Sequence, residues 1–119
     1  MNTTVITIEE AGVTIRPAAS GVWLTQHQIA DLFGVVISAV NNNIRAILKS
    51  GVLREDEVCR DKETENSGLI TLYNLEMITA LAFRLKSYPA EWFRQWIVQK
   101  MTNHPLVIWK IPGIDTMLN

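Results

Sequence analysis

The sequence has few of the features that mark secreted, membrane or metal-binding proteins. Its one cysteine, Cys59, has no partner for an internal disulfide, and no histidine lies at a zinc-ligand spacing from it. No apolar run is long enough to cross a membrane, and residues 1–8 lack the basic start and apolar core of a signal peptide. We therefore expect a cytoplasmic protein that uses no metal, cofactor or membrane partner.

An excess of positive charge, the simplest sign of nucleic-acid binding, is also missing, because the formal net charge is -1. The charges are unevenly distributed, however. No acidic residue lies between Asp31 and Glu55, whereas Arg45, Lys49 and Arg54 fall in that interval. Any basic surface must therefore be local. With 119 residues and 48% hydrophobic content, the chain can bury the core of one globular domain.

Residues 1–21 predict a β-hairpin followed by a loop. β-branched side chains dominate residues 5–8 and 13–15, and a turn that contains glycine separates the two runs. The loop, residues 17–21, contains both proline and glycine.

Residues 25–49 predict a helix-turn-helix. Thr25 and Gln28 form a capping box, in which each side chain satisfies the other's free backbone N–H, so that the first helix begins at Gln26. Gly34 supplies the left-handed conformation that ends this helix. A second helix follows at once.

The spacing of three residues supports this motif. Two helices joined by a short turn pack closely when the first carries a small residue, the turn a glycine and the second a branched residue. Ala30, Gly34 and Val40 satisfy this requirement, and Gly51 closes the second helix. An ordinary pair of packed helices that contacts no partner remains open as an alternative.

At about 100° per residue, the second helix has two different sides. The apolar side consists of Val40, Ile44, Ile47 and Leu48. The other side carries the candidate DNA contacts and no acid: Ser38, Asn41, Asn42, Arg45 and Lys49. Asparagine amides can pair with base edges, while the cations, together with Arg54, can hold phosphates. Val36 and Ile37 are apolar where such motifs usually place polar residues.

A second hairpin is predicted after the helix-turn-helix, with strands at residues 57–60 and 69–73 and a polar loop at residues 61–68. This is the position of the wing in a winged helix. Residues 22–73 thus form the helix-turn-helix and wing of a single α+β domain, residues 1–119.

A pair of helices is predicted over residues 74–101. Asn74 caps the first, and Pro89 begins the second, because a helix needs no N–H at that position. Two apolar stripes should face the core: Leu75, Ile78, Leu81, Ala82 and Leu85, then Trp92, Phe93, Trp96 and Ile97. Residues 102–119 read as an irregular tail whose apolar part, residues 106–111, needs to be covered.

Several short sequence motifs are spread over residues 22–101: Val22-Trp23-Leu24-Thr25-Gln26, Ile29-Ala30-Asp31-Leu32-Phe33-Gly34, Asn43-Ile44, Lys49-Ser50-Gly51-Val52-Leu53, Val58-Cys59-Arg60, Tyr73-Asn74-Leu75-Glu76-Met77-Ile78 and Phe93-Arg94-Gln95-Trp96. In these motifs the chain resembles the RhuM-like "virulence protein" family of bacteria and their mobile elements. The last motif is also similar to the N-terminal domains of phage antirepressors. The resemblance implies a DNA-binding or phage-type regulatory domain and brings with it no known enzymatic activity.

Residues of the types used in catalysis are present but isolated. His27 and His104 are far apart in the sequence, and His27 should be exposed in the first turn of a helix. Cys59 is expected to be buried and inert in a strand, and Arg94 to lie on a solvated helix face. We therefore do not expect an enzyme.

The sequence accordingly predicts a winged-helix-like DNA-binding protein that acts in transcription or mobile-element control. Double-stranded DNA is the expected partner, and a homodimer is expected because dimeric DNA readers double their contacts by symmetry. The alternative is an antirepressor-like domain that binds another protein through Val36, Ile37 and the aromatic C-terminal helix. A basic outer face of the second helix would favour DNA, and an apolar patch rimmed by acids would favour a protein.

Overall fold

The computed structural model describes residues 5–16 and 21–103, which form an α+β fold of five helices and two antiparallel sheets. In chain order the elements are β1 (Val5–Glu9), β2 (Gly12–Arg16), β3 (Trp23–Leu24), α1 (Gln26–Phe33), α2 (Ile37–Ser50), α3 (Glu55–Val58), β4 (Cys59–Glu63), β5 (Leu69–Asn74), α4 (Leu75–Ala82) and α5 (Tyr88–Thr102).

The predicted N-terminal hairpin is confirmed. Strands β1 and β2 pair antiparallel from Val5 opposite Arg16 to Glu9 opposite Gly12. The hairpin packs against α5, so that its half-buried Ile6, Ile8 and Val13 extend the core.

The helix-turn-helix geometry follows the sequence closely. The Thr25 hydroxyl accepts from the Gln28 N–H at 3.1 Å, and the Gln28 side chain accepts from the Thr25 N–H at 2.8 Å, so the capping box is confirmed. Gly34 has φ 66° and ψ 39°, the left-handed conformation expected of it. Gly51, with φ 79°, likewise ends α2.

The second sheet has the strand order β3-β5-β4. It differs from prediction at its start, because residues 57 and 58 belong to the short helix α3 and not to a strand. The Arg54 carbonyl accepts from the N–H groups of Glu57 and Val58, and three acidic side chains favour the N-terminal end of this helix. Strand β4 also continues through Glu63, so the loop is shorter than expected.

Helices α4 and α5 form the predicted pair. The Asn74 side chain caps α4 by accepting from the Met77 N–H at 3.1 Å. Helix α5 begins one residue before Pro89, because Ser87 supplies the cap by accepting from the Ala90 N–H at 3.2 Å. Leu85 is buried as expected, although it follows the end of α4.

Arg94 is not on a solvated face, and this prediction was wrong. Its half-buried guanidinium donates to the carbonyls of Ala82 at 2.6 Å and Leu85 at 3.1 Å, where α4 has ended and these oxygens lack helical partners. Arg94 therefore ties α5 to the end of α4.

The core gathers side chains from the helix-turn-helix, β5, α4 and α5, with Ile29, Phe33, Val40, Met77, Ile78, Leu81 and Phe93 almost fully buried. The rings of Phe33 and Phe93 meet edge to face, with their centres 5.8 Å apart. The predicted irregular tail from residue 104 onward, including residues 106–111, lies outside the described residues. Within the described part of the chain, no helix is long and apolar enough to span a membrane.

Candidate nucleic-acid interface

The outer face of α2 is polar and faces solvent. Val40, Ile44 and Ile47 are buried against the core, and this orientation leaves the opposite face exposed. That face, which we call the α2 outer face, consists of Ser38, Asn42, Arg45 and Lys49. The predicted division of the helix into two sides is confirmed for these residues. No carboxylate lies on α2, so the two cations are not neutralised from within the helix.

The N-terminal edge of α2 combines exposed apolar side chains with free backbone donors. Val36 is 67% exposed and Ile37 38% exposed. Val36 is the N-cap residue and provides no side-chain hydrogen bond to the first turn, which also contains no acidic residue. The backbone N–H groups of the first turn of α2, together with the positive end of the helix dipole, can therefore bind an anion such as a phosphate.

Asn41 is half-buried and does not share the exposure of Ser38, Asn42, Arg45 and Lys49, with which the helical projection grouped it. Gln26, the first residue of α1, donates from Nε2 to Asn41 Oδ1 at 3.2 Å and to the Tyr73 hydroxyl at 3.1 Å. Asn41 thus lies on the flank of α2 that faces the start of α1 and the end of β5. The helical projection placed Asn41 on the polar side with the other candidate DNA contacts, and a role for Gln26 had no signal in the sequence beyond its position at the helix start.

Asn43 anchors the other flank of α2. Its Nδ2 donates to the Ala39 carbonyl at 2.8 Å, and its Oδ1 accepts from Arg84 Nε at 2.9 Å. This contact holds the exposed Arg84 guanidinium beside α2, where it adds a cation that the sequence analysis did not assign.

Arg54 is in a different setting from the cations of α2. Its guanidinium approaches the carboxylates of Asp56 at 3.0 Å and Glu57 at 3.6 Å. All three side chains are exposed, so the attraction is modest. A phosphate at Arg54 would nevertheless have to compete with these two carboxylates.

The β4–β5 hairpin separates its charges by face. Cys59, Asp61 and Glu63 alternate with Arg60 and Lys62, and alternate strand residues point to opposite sides of a sheet. The Arg60 guanidinium lies 4.3 Å from the centre of the Trp23 ring, a cation–π contact. On the other face, Asp61 accepts from the Thr71 hydroxyl at 2.9 Å.

A depression of about 420 Å³ lies where the end of α2 meets α3 and the β4–β5 hairpin. We call it the acidic depression, because three carboxylates stand against one cation in its lining: Leu48, Glu55, Asp56, Cys59, Arg60, Asp61, Thr71 and Tyr73. Burial, followed by the charges of Glu55 and Asp61, raises the pKa of the Cys59 thiol. Burial also raises the pKa of Tyr73, although the hydrogen bond from Gln26 opposes this shift. Both groups are therefore neutral near pH 7.

The described residues offer no assembled metal site, since no three His, Cys, Asp or Glu side chains come together among residues 5–16 and 21–103. His27 is exposed in the first turn of α1, as expected. Cys59 is half-buried and not fully enclosed. His104 lies outside the described part of the chain.

Comparison of the chain with protein-family models, curated proteins and solved structures finds no match.

Proposed function

We propose that this protein is a non-enzymatic DNA-binding regulatory module with a winged-helix-like fold, acting in transcription or mobile-element control. The α2 outer face carries the proposal. It presents a hydroxyl, an amide and two cations to solvent with no carboxylate on the same helix. Side chains of these types contact base edges in the major groove and phosphates of the DNA backbone.

The order of elements supports a winged-helix-like arrangement. A short strand, two helices joined by a tight turn, a four-residue helix and a hairpin follow one another as β3, α1, α2, α3, β4 and β5, and β3 pairs with β5, the second hairpin strand. In this proposal α2 enters the major groove, the start of α1 approaches the backbone and the β4–β5 hairpin is the wing. The resemblance of residues 22–101 to the RhuM-like family is consistent with the same function.

Within the interface the residues have different roles. Asn42 reads a base edge, because its exposed amide offers a donor and an acceptor together. Arg45 and Lys49 hold phosphates, with Ser38 and the first-turn N–H groups contacting the backbone near the helix start. Arg54 is the weakest candidate, because Asp56 and Glu57 lie against it.

We further propose that the protein binds as a homodimer, as many helix-turn-helix proteins do. Val98 and Met101 on α5 are exposed apolar residues that a second copy would cover. Sedimentation at micromolar concentration tests this separately, and a mass of 13.5 kDa would contradict it.

Selection of bound fragments from random double-stranded DNA, at one defined salt concentration, tests the function. The expected result is an enriched motif whose affinity falls steeply with salt. Binding without any motif would reduce the proposal to general DNA binding. Failure to retain DNA even at low salt would overturn it.

A second candidate, an antirepressor-like protein-interaction domain, is favoured by the exposed apolar side chains of Val36 and Ile37 at the N-terminal edge of α2. Val36→Ser separates the two candidates. If contacts to phosphates and base edges dominate DNA binding, the affinity for DNA should change by no more than a few-fold. If Val36 instead docks a protein partner, the affinity for that partner should be mostly lost.

A further inference from the structure

Gln26, Asn41 and Tyr73 form a hydrogen-bonded chain that leads from the sheet to the edge of the candidate interface. The Gln26 amide nitrogen has two hydrogens, and the structure uses one for Asn41 Oδ1 at 3.2 Å and the other for the Tyr73 hydroxyl at 3.1 Å. Tyr73 is buried and its strand pairs with β3, the two-residue strand just before Gln26. The Gln26 side chain is thus held by Tyr73 on β5 and by Asn41 on α2.

This chain determines which way the Asn41 amide faces. An asparagine amide has an accepting oxygen and a donating nitrogen that differ little in size, so its neighbours decide its orientation. Gln26 donates to the oxygen, and the NH₂ group of Asn41 is therefore the part directed away from Gln26. Asn41 is half-buried, so part of the residue remains accessible to solvent.

We infer that Gln26 is a specificity-determining positioning residue, which makes Asn41 a hydrogen-bond donor toward a guanine edge and a poor partner for cytosine. In the major groove guanine presents only acceptors, N7 and O6, whereas cytosine presents the N4 donor. If Gln26 fixes the Asn41 NH₂ group toward the base, that donor can bond to the acceptors of guanine. Opposite cytosine it would face the N4 donor, and no hydrogen bond could form. Asn42 is exposed and keeps the two-sided pairing suited to adenine. This inference rests on the proposed DNA-binding function.

The test exchanges the donor at residue 26 for an acceptor. Gln26→Glu places a carboxylate there, which can only accept, so the Asn41 NH₂ turns inward and its oxygen faces the base. A carboxylate in the first turn of α1 also suits the helix dipole, and the Tyr73 hydroxyl can rotate to donate to it. The fold is therefore expected to tolerate this change.

Gln28→Glu is the matched control. It adds the same charge to the same helical turn, and a glutamate there still accepts from the Thr25 N–H in the capping box. It does not touch Asn41.

Affinities are measured for the wild type and each variant on the selected site and on all its G-to-C exchanges. At one position the wild type and Gln28→Glu should favour guanine over cytosine by roughly five- to 150-fold. Gln26→Glu should reverse that preference, and Asn41→Ala should abolish it at that position alone. If Gln26→Glu does not fold, Asn41→Asp on α2 tests the same point. Its carboxylate has one oxygen toward Gln26 and one toward the base, and the second can only accept, so the preference for guanine over cytosine should again reverse.

The two possible failures are distinguishable. A wild type that retains no DNA would overturn the proposed function and this inference with it. Normal site-specific binding with an unchanged guanine preference in Gln26→Glu and Asn41→Asp would overturn the inference alone. A loss of affinity shared equally by Gln26→Glu and Gln28→Glu would show that charge, and not the orientation of the amide, is responsible, which also overturns it.

Discussion

The guanidinium of Arg94 lies 2.6 Å from the carbonyl oxygen of Ala82, the last residue of α4, and also reaches the Leu85 carbonyl at 3.1 Å. One side chain thus satisfies two backbone acceptors at a point where the chain leaves a helix. A groove lies beside these contacts, between the residues that connect α4 to α5 and α5 itself. Phe83, Leu85 and Val98 contribute its apolar lining.

Arg94→Ala should lower the free energy of unfolding by roughly 1–3 kcal/mol, because two partly buried carbonyls lose a charged donor. Chemical denaturation followed by circular dichroism measures the change. Lys100→Ala is the control, since it removes the same charge from α5 at an exposed position over the Trp96 ring. Equal effects of the two substitutions would show that the carbonyl contacts contribute little.

Arg45→Ala combined with Lys49→Ala should weaken binding to every DNA sequence. Removing one phosphate contact should reduce the slope of log affinity against log salt by about 0.9, so removing two should reduce it by roughly two. Gel-shift titrations at several salt concentrations measure the slope. Arg16→Ala with Lys100→Ala removes two exposed cations from other elements and should leave it unchanged. The same decrease in both double variants would instead indicate an effect of net charge.

Asn42→Ala should reduce affinity for the preferred site by about 1–3 kcal/mol and leave binding to random DNA almost unchanged, since the amide is proposed to contact a base and carries no charge. Thermal melting should show a change in stability of at most about 0.5 kcal/mol, because the side chain is exposed. Competition titrations with specific and random duplexes separate the two affinities. A parallel fall in both would argue against a base contact by this residue.

The Cys59 thiol should react with iodoacetamide more slowly at about pH 8 in the folded protein than in the chain unfolded by urea. Burial and the charges of Glu55 and Asp61 raise its pKa in the fold, so less thiolate is present there. The same shift makes folding favour the protonated thiol. The corresponding stabilisation is complete below the pKa of the unfolded thiol and is lost as the pH rises through the higher pKa of the folded state.

Mass spectrometry of timed samples gives the alkylation rate. In Cys59→Ser, the part of the decrease in unfolding free energy at alkaline pH that is due to the thiol should disappear. Glu55→Gln should speed the reaction, because it removes one of the two carboxylates that oppose the thiolate. A folded protein that reacts as fast as the unfolded chain would contradict the prediction.

Local signals in the sequence predicted local structure well. The capping box of Thr25 and Gln28, the left-handed glycines at residues 34 and 51 and the cap at Asn74 all involve neighbours within a few residues, and all are present. Periodicity also predicted which side of α2 is buried. These features depend on interactions that a short stretch of sequence contains in full.

Contacts between distant segments were the ones that the sequence did not reveal. No residue close to Arg94 in the sequence indicates that its side chain will donate to the Ala82 carbonyl. The hydrogen bond from Gln26 to Asn41 likewise depends on how α1 packs against α2. The start of β4 was misplaced because Glu57 and Val58 suit a strand by pattern, while the Arg54 carbonyl holds them in a helical turn. The candidate site was therefore predictable as a helix face but not in the orientation of its amides.

The pairing of Trp23 with Asn74 and of Leu24 with Tyr73 closes a loop of chain that contains both helices of the motif and most of the hairpin. Closing a long loop costs conformational entropy, and contacts between residues far apart in sequence slow folding. We therefore expect α1, α2 and the β4–β5 hairpin to form early and β3 to dock last. Only Thr25 separates Gln26 from β3, so we expect Asn41 to acquire its fixed orientation in that final step. Under the proposed DNA-binding function, a chain with β3 undocked would retain the cations of α2 and bind DNA without discriminating guanine. Selectivity, but not attraction, would then depend on the completion of folding.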